Sequence, residues 1–160
     1  QSIAIGAAES RGLELDFSAA LPGKVQAMVS YAYIDAYSAS SVLDPDFGRV
    51  VGSGDPLLNV PKHNLSLLLT KDVDVAGKRL TLGLGEKYVS KRLGETGTTF
   101  FLPAYSLTRV FGTYHVSKQW SVTGEVTNVF DKVYYPASYA ALWIAPGAPR
   151  QGQLRATYKF

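Results

Sequence analysis

Residues 150–160, RQGQLRATYKF, alternate strictly between two kinds of side chain. Leu154, Ala156, Tyr158 and Phe160 fall on one side, and Gln153, Arg155, Thr157 and Lys159 on the other. A period of two belongs to a β-strand, whose successive side chains point to opposite faces. A strand with one apolar and one polar face stands between two solvents. The end of a soluble chain ordinarily frays, whereas the last strand of a transmembrane barrel pairs with the first to remove the open edge, and aromatic rings belong at the bilayer interface. The segment therefore predicts an all-β, transmembrane, antiparallel up-and-down β-barrel.

Composition is compatible with that expectation. No apolar run approaches the roughly 18 residues that a transmembrane helix needs, and mean hydropathy is near zero. Barrels place their hydrophobicity at every second residue, so neither observation argues against a membrane. Ten tyrosines and seven phenylalanines in 160 residues suit aromatic girdles or any β-rich fold. There is no cysteine, which removes disulfides, thiolate metal sites and cysteine nucleophiles. The formal net charge of +3 is spread along the chain, without the basic run of a nucleic-acid surface.

Read in order, residues 1–8 resemble the tail of a strand, and clear alternation begins near Ser10. Leu13, Leu15, Phe17 and Ala19 oppose Glu14, Asp16 and Ser18, and Pro22-Gly23 marks a turn. Val25, Ala27, Val29, Tyr31 and Tyr33 share one face of a second strand, after which residues 37–62 show no usable period. Leu65, Leu67 and Leu69 define a third strand, and Leu80, Leu82 and Leu84 a fourth that runs on through Tyr88. The fifth spans Tyr105 to Val116, with Phe111 interrupting its polar side, and the sixth spans Trp120 to Val126. The connections alternate short and long: Pro22, 37–62, 74–78, 94–103, 117–119 and 131–149. Outer-membrane barrels have short periplasmic turns and longer outside loops in that alternation. Seven strands leave two edges, so the reading predicts a barrel that continues upstream of Gln1.

Five segments then carry a resemblance in their order and spacing: SRGLELDF (10–17), NVPKHNLSLLLT (59–70), PAYSLTRVFGTYHV (103–116), TNVFDKVYY (127–135) and PGAPRQGQLRATYKF (146–160). Together they resemble the C-terminal third of the barrel of a TonB-dependent outer-membrane receptor of the ferric-siderophore branch. The resemblance covers nearly all of residues 1–160. It implies a plugged barrel of about 22 strands, with the plug domain absent from this chain, in a bacterial outer membrane. It also implies import of a ferric siderophore or similar metal chelate, not catalysis. The implied partners are outer-membrane lipid, the TonB energy-coupling protein (through a missing N-terminal region) and the barrel-assembly machinery, with no nucleic acid. No cofactor is implied, since iron would arrive inside its chelator. Two positions depart from the pattern. Arg109 stands where an acidic residue is expected, and Glu86 shares the apolar face of Leu80, Leu82 and Leu84. Either Glu86 lies at headgroup level or a bulge shifts the register.

Tyr139, Trp143 and Arg150 are the candidate ligand contacts, the first two as part of an aromatic external vestibule. Phe100, Phe101, Tyr134 and Tyr135 read as girdle or loop packing, and Trp120 as an interface anchor. Tyr158 and Phe160 are the candidate barrel-assembly signal, against the plainer role of strand pairing. Glu14 and Asp16 share a face, but polar residues there are expected of any barrel interior. His63 and His115 have no ligand spacing around them, so no metal site is predicted. Gly83-Leu84-Gly85 lacks the third glycine and the helix of a phosphate loop, and reads instead as close approach of the backbone to an interior plug. Two other architectures suit the pattern: a small closed barrel of eight strands, if residues 1–8 form a full strand, and a soluble β-sandwich binding module.

Overall fold

The computed structural model describes residues 6–44 and 48–160, and among them every regular element is a strand. In chain order these are β1 (Ala8–Leu21), β2 (Val25–Ser38), β3 (Val42–Asp44), β4 (Arg49–Val51), β5 (His63–Val75), β6 (Lys78–Val89), β7 (Arg92–Leu93), β8 (Phe101–Leu102), β9 (Tyr105–His115), β10 (Trp120–Thr127), β11 (Ala137–Ala140), β12 (Trp143–Ala145) and β13 (Gln151–Tyr158). Seven of them form one antiparallel sheet in the order β1-β2-β5-β6-β9-β10-β13, each strand pairing with its neighbour in the meander. β1 and β13 are the two open edges of that sheet, and they do not pair with each other. Ala8 belongs to β1, so residues 6–8 add no eighth strand, and the rest of 1–8 lies outside the described residues. Among the described residues no eighth strand closes the sheet, and a single meander is not the two crossed-over sheets of a sandwich.

The register is staggered. One cross-strand row joins Ala19, Ala27, Leu69, Leu84, Val110, Val126 and Gly152. It starts near the turn end of β1 and finishes near the loop end of β13. A row that climbs across the sheet in this way means tilted strands, the shear that closing a barrel demands. Along the same face run Leu15, Phe17, Val29, Leu65, Leu67, Leu80, Leu82 and Leu154. Tyr31, Tyr33 and Tyr88 border this apolar face toward the loops, and Tyr114, Trp120 and Tyr158 border it toward the turns. Trp120 and Tyr158 are cross-strand partners with ring centroids 5.0 Å apart. Two aromatic borders around an apolar band match a lipid-facing wall.

Glu86 stays on that face. β6 pairs without a break to both β5 and β9, so there is no bulge, and Glu86 lies between Leu67 and Thr108. Two residues from Tyr88 and three from the loop end of β6, it sits at the outer border, where its carboxylate accepts a hydrogen bond from the Thr108 hydroxyl. The unbroken register excludes the bulge.

The other face is a polar ladder. Ser30 donates to Asp16 (2.6 Å), Thr81 to Asp72 (2.6 Å), Thr113 and Thr123 share a bond of 2.9 Å, and Arg79 meets His115 at 3.2 Å. Phe111 interrupts this ladder for a reason the structure makes plain. A Cβ on Gly83, its cross-strand partner, would stand 2.1 Å from the Phe111 ring, and one on Gly85 would stand 2.9 Å from Arg109. The two glycines are small so that large neighbours can lie across their strand. This corrects the expectation of backbone approach to a plug. Arg109 in turn lies over the Phe111 ring at 5.4 Å and faces Glu125 at 3.8 Å.

The short connections are tight. Gly23 and Lys24 turn β1 into β2 with φ of 79° and 60°, and Ala76-Gly77 turn β5 into β6 with φ of 52° and 71°. The Asp74 side chain accepts the Gly77 N–H at 3.0 Å, and Ser117 Oγ accepts the N–H groups of Gln119 and Trp120. The long connections are not structureless. Each contains a small hairpin of its own, β3–β4, β7–β8 and β11–β12, none of which the sequence pattern marked.

Candidate functional site: the outer loop body

The three long loops gather at one end of the wall and pack on one another. Most of the buried side chains of the described residues lie here or at the adjoining strand ends: Leu93, Leu102, Ala140, Ser138, Arg92 and Glu95 among them. Two polar residues tie the loops together. Asn59, in the first loop, gives its side-chain amide to the Ser138 carbonyl (2.7 Å) and accepts the Ser138 N–H (3.0 Å), so it pairs with the third loop as a strand would. Its own backbone N–H reaches the Leu93 carbonyl of the second loop at 2.9 Å. Asn59 adopts φ of 61°, a left-handed conformation that asparagine tolerates well. Ser138 Oγ closes the triangle by donating to Gly94 O at 2.6 Å.

Glu95 is the second tie. One carboxylate oxygen pairs with Arg49 of the first loop, and the other accepts the Ala141 N–H of the third at 3.1 Å. The Ala141 N–H, with Arg49 beside it, holds the carboxyl below its ordinary range against the opposing pull of burial. Arg92, in β7 of the second loop, is 3% exposed. Its Nη2 donates to the Tyr135 carbonyl and its plane lies 5.3 Å from the Tyr105 ring centroid, while Nη1 has no hydrogen-bond partner. Burial lowers the Arg92 pKa, opposed by the nearby Tyr105 hydroxyl.

Tyr139 and Trp143 come together on the β11–β12 hairpin with centroids 6.1 Å apart, and both are more than half or about half exposed (50% and 62%). Arg150 is placed elsewhere, at the foot of the same loop. Its N–H donates to Asp131 at 2.8 Å and its Nη1 faces Val129 O at 3.4 Å. Phe100 packs over Gly94, and Tyr134 packs on Tyr105 (4.8 Å) and against Gly147, so these rings serve loop packing. A concavity of about 520 Å³ opens beneath the third loop, bounded by Ser30, Lys87, Arg109, Asn128 and Tyr134. His63 bonds Tyr31 through Nδ1 at 2.9 Å and His115 meets Arg79, so the two histidines serve separate strand pairs. Among the described residues no group of three potential metal ligands gathers. Tyr158 and Phe160 meet edge to face at 5.1 Å at the turn end of β13.

An open, staggered wall with one lipid face, one polar face and a packed loop body points to a segment of a large outer-membrane barrel. Comparison with known proteins decides which. Residues 1–129 match the family described as TonB dependent receptor-like, beta-barrel. The chain belongs to this family. It is 33% identical over 97% of its length to the metal-pseudopaline receptor of Pseudomonas aeruginosa, and 29% identical over 99% of its length to the ferrichrome outer membrane transporter/phage receptor of Escherichia coli. It spans 21% of the length of each. In structure it matches the ferric preacinetobactin receptor of Acinetobacter baumannii with a TM-score of 0.77, 26% identity and coverage of 96% of this chain and 22% of that one. The TonB-dependent receptor wall described here is thus part of a larger barrel of the bacterial outer membrane, and β1 and β13 are edges within it.

Proposed function

We propose that the chain supplies seven wall strands and three outside loops to a receptor that imports a ferric siderophore or similar metal chelate, driven through the TonB energy-coupling protein. The supporting observation is the loop body itself, held as one unit by Asn59 and Glu95 and presenting the Tyr139–Trp143 pair outward. Relatives named for metal-pseudopaline, ferrichrome and ferric preacinetobactin support the ligand class. In this reading the exposed ring pair offers flat, apolar contact area to a chelate, while the wall excludes lipid. The role is transport, without chemistry on the ligand. The plug and the coupling segment are supplied by other parts of the receptor.

The test is growth and uptake in the native bacterium. Deleting the whole gene should abolish accumulation of at least one radiolabelled metal chelate under metal limitation, and a TonB-deficient strain should show the same loss. Normal uptake of every chelate in a broad panel would overturn the reading. In the complemented strain, Trp143→Ala should weaken chelate binding by roughly 5- to 30-fold, the range for an aromatic contact residue worth about 1–2 kcal/mol.

Tyr158 and Phe160 are proposed as the recognition element for the barrel-assembly machinery, supported by the edge-to-face packing of their rings at the turn end of β13. Removing Phe160 should reduce the amount of folded receptor in the outer membrane without changing uptake per folded molecule.

A further inference from the structure

A second concavity, of about 750 Å³, lies on the opposite side of the wall from the polar ladder, where the apolar band of β5 and β6 gives way to the loops. Lys62, His63, Tyr88, Lys91, Arg92 and Phe101 are among its lining residues. His63 and Tyr88 belong to the lipid-facing side of the sheet, since Tyr33 opposes His63 and Leu65 opposes Tyr88. The groove therefore stands at the outer border of the membrane, directly above the apolar row.

Its charge is one-sided. Among the described residues lining it there is no carboxylate. Lys62 is held by Asp35 just outside at 2.9 Å, so part of its charge is answered. The Lys91 ammonium lies over the Phe101 ring at 5.6 Å, a contact that fixes its direction without neutralising it. Arg92 also lines the groove, but it is 3% exposed and its guanidinium is turned to the Tyr105 ring and the Tyr135 carbonyl, so Lys62 and Lys91 are the cations the groove presents. Tyr88 and Phe101, both about 40% exposed, give the rim the amphipathic rings that suit a headgroup region (39% and 42%).

We propose that this groove is a docking site for the phosphate-bearing headgroup of an outer-leaflet lipid. Lys62 and Lys91 supply the charge, and the acyl chains run down the adjoining apolar row. The site rests on the outer-membrane placement of the wall and not on which chelate the receptor carries. Charge complementarity and continuity with the lipid-facing band argue for this occupant: a soluble anion would have no use for the apolar row below.

The intact receptor, purified and placed in nanodiscs, would be titrated with bisphosphorylated lipid A and followed by native mass spectrometry. Each basic residue near a membrane surface is worth about 1 kcal/mol toward an anionic lipid, so Lys91→Gln should weaken binding roughly 5-fold and the Lys62→Gln/Lys91→Gln pair roughly 30-fold. Lys118→Gln/Lys159→Gln, at the opposite end of the wall, should leave it unchanged. Dephosphorylated lipid A should bind no better to wild type than to the double variant. Equal lipid A binding by wild type and the double variant, with both showing the heat-modifiable mobility of a folded barrel, would overturn the site. So would full displacement of the lipid by millimolar inorganic phosphate, which would make the groove a free-anion site. Chelate uptake by the variants is a separate readout. Absence of chelate uptake by the wild-type receptor, with lipid A binding intact, would count against the transport reading alone.

Discussion

The wall and the loop body of this chain are held together by opposite means. In the wall, hydrogen bonds run backbone to backbone between neighbouring strands, and side chains sort by parity into lipid-facing and inward-facing rows. Its large apolar side chains, such as Leu15, Phe17 and Leu154, stay on the surface because lipid is their solvent. The loop body instead buries polar side chains and spends their hydrogen bonds on segments far apart in sequence, Asn59 to Ser138 and Glu95 to Ala141. The contrast teaches that a wall tolerates change that preserves parity, whereas the loop body depends on a few identified atoms.

The sharpest way to break the contrast is a charge on the wall. Leu69 sits midway along β5 on the lipid side, with Ala27 and Leu84 as its cross-strand partners. Leu69→Arg should destabilise the folded barrel by about 2–4 kcal/mol, the cost of arginine near the bilayer midplane. Thr70→Arg, one residue on and facing inward, should change stability little. Equal effects, measured by reversible denaturant unfolding of the intact receptor in lipid, would mean that the faces are assigned wrongly.

A second perturbation concerns shape in the wall. Gly83→Val would drive a side chain into the Phe111 ring and should cost about 1–3 kcal/mol, as overpacking does. Phe111→Ala in the same chain should recover most of that loss. Failure of the rescue would show that Gly83 is needed for something other than room.

For the loop body, Asn59→Gly keeps the left-handed backbone but removes both side-chain bonds to Ser138. At about 0.5–1.5 kcal/mol net for each bond, local stability should fall by about 2 kcal/mol. Amide exchange at Ser138 should accelerate roughly 30-fold, with exchange in β5 and β6 unchanged.

The smallest effect is a pH dependence. The Glu95 carboxyl titrates lower in the folded protein than when unfolded, so its stabilisation is full above the ordinary carboxylate value of about 4.3 and is lost as pH falls through the lowered folded value. Protease nicking of the loops (by an acid-active enzyme) should rise below about pH 4 in wild type. In Glu95→Gln it should show no such step.

The same contrast explains what was legible beforehand. Parity survives in a single strand, so the seven wall strands, their short and long connections and the lipid-facing side could be read from residues such as Leu65, Leu67 and Leu69 alone. The register of Glu86 could not, because the choice between a bulge and the outer border depends on the neighbouring strands. Tyr139 and Trp143 were recognisable as loop aromatics, and the structure does pair them. Asn59, Arg92 and Glu95 were invisible as organising residues. Asn59 precedes an ordinary strand, and Glu95 lies among Gly94, Thr96 and Gly97, where a carboxylate would be expected in water. Their partners lie 79 and 46 residues away, so no local pattern carries the information. Gly83 was noticed for its smallness, but what fills the space is Phe111, on the following wall strand.

The ties at Asn59 and Glu95 also bear on how such receptors diversify. Each of the two residues bonds to both other loops, so a loop exchanged by recombination from a relative would arrive without its matching partners unless its neighbours came with it. The three loops are therefore expected to be inherited as a set, with new ligand preferences appearing by point changes at the outward-facing tips while the internal ties stay fixed.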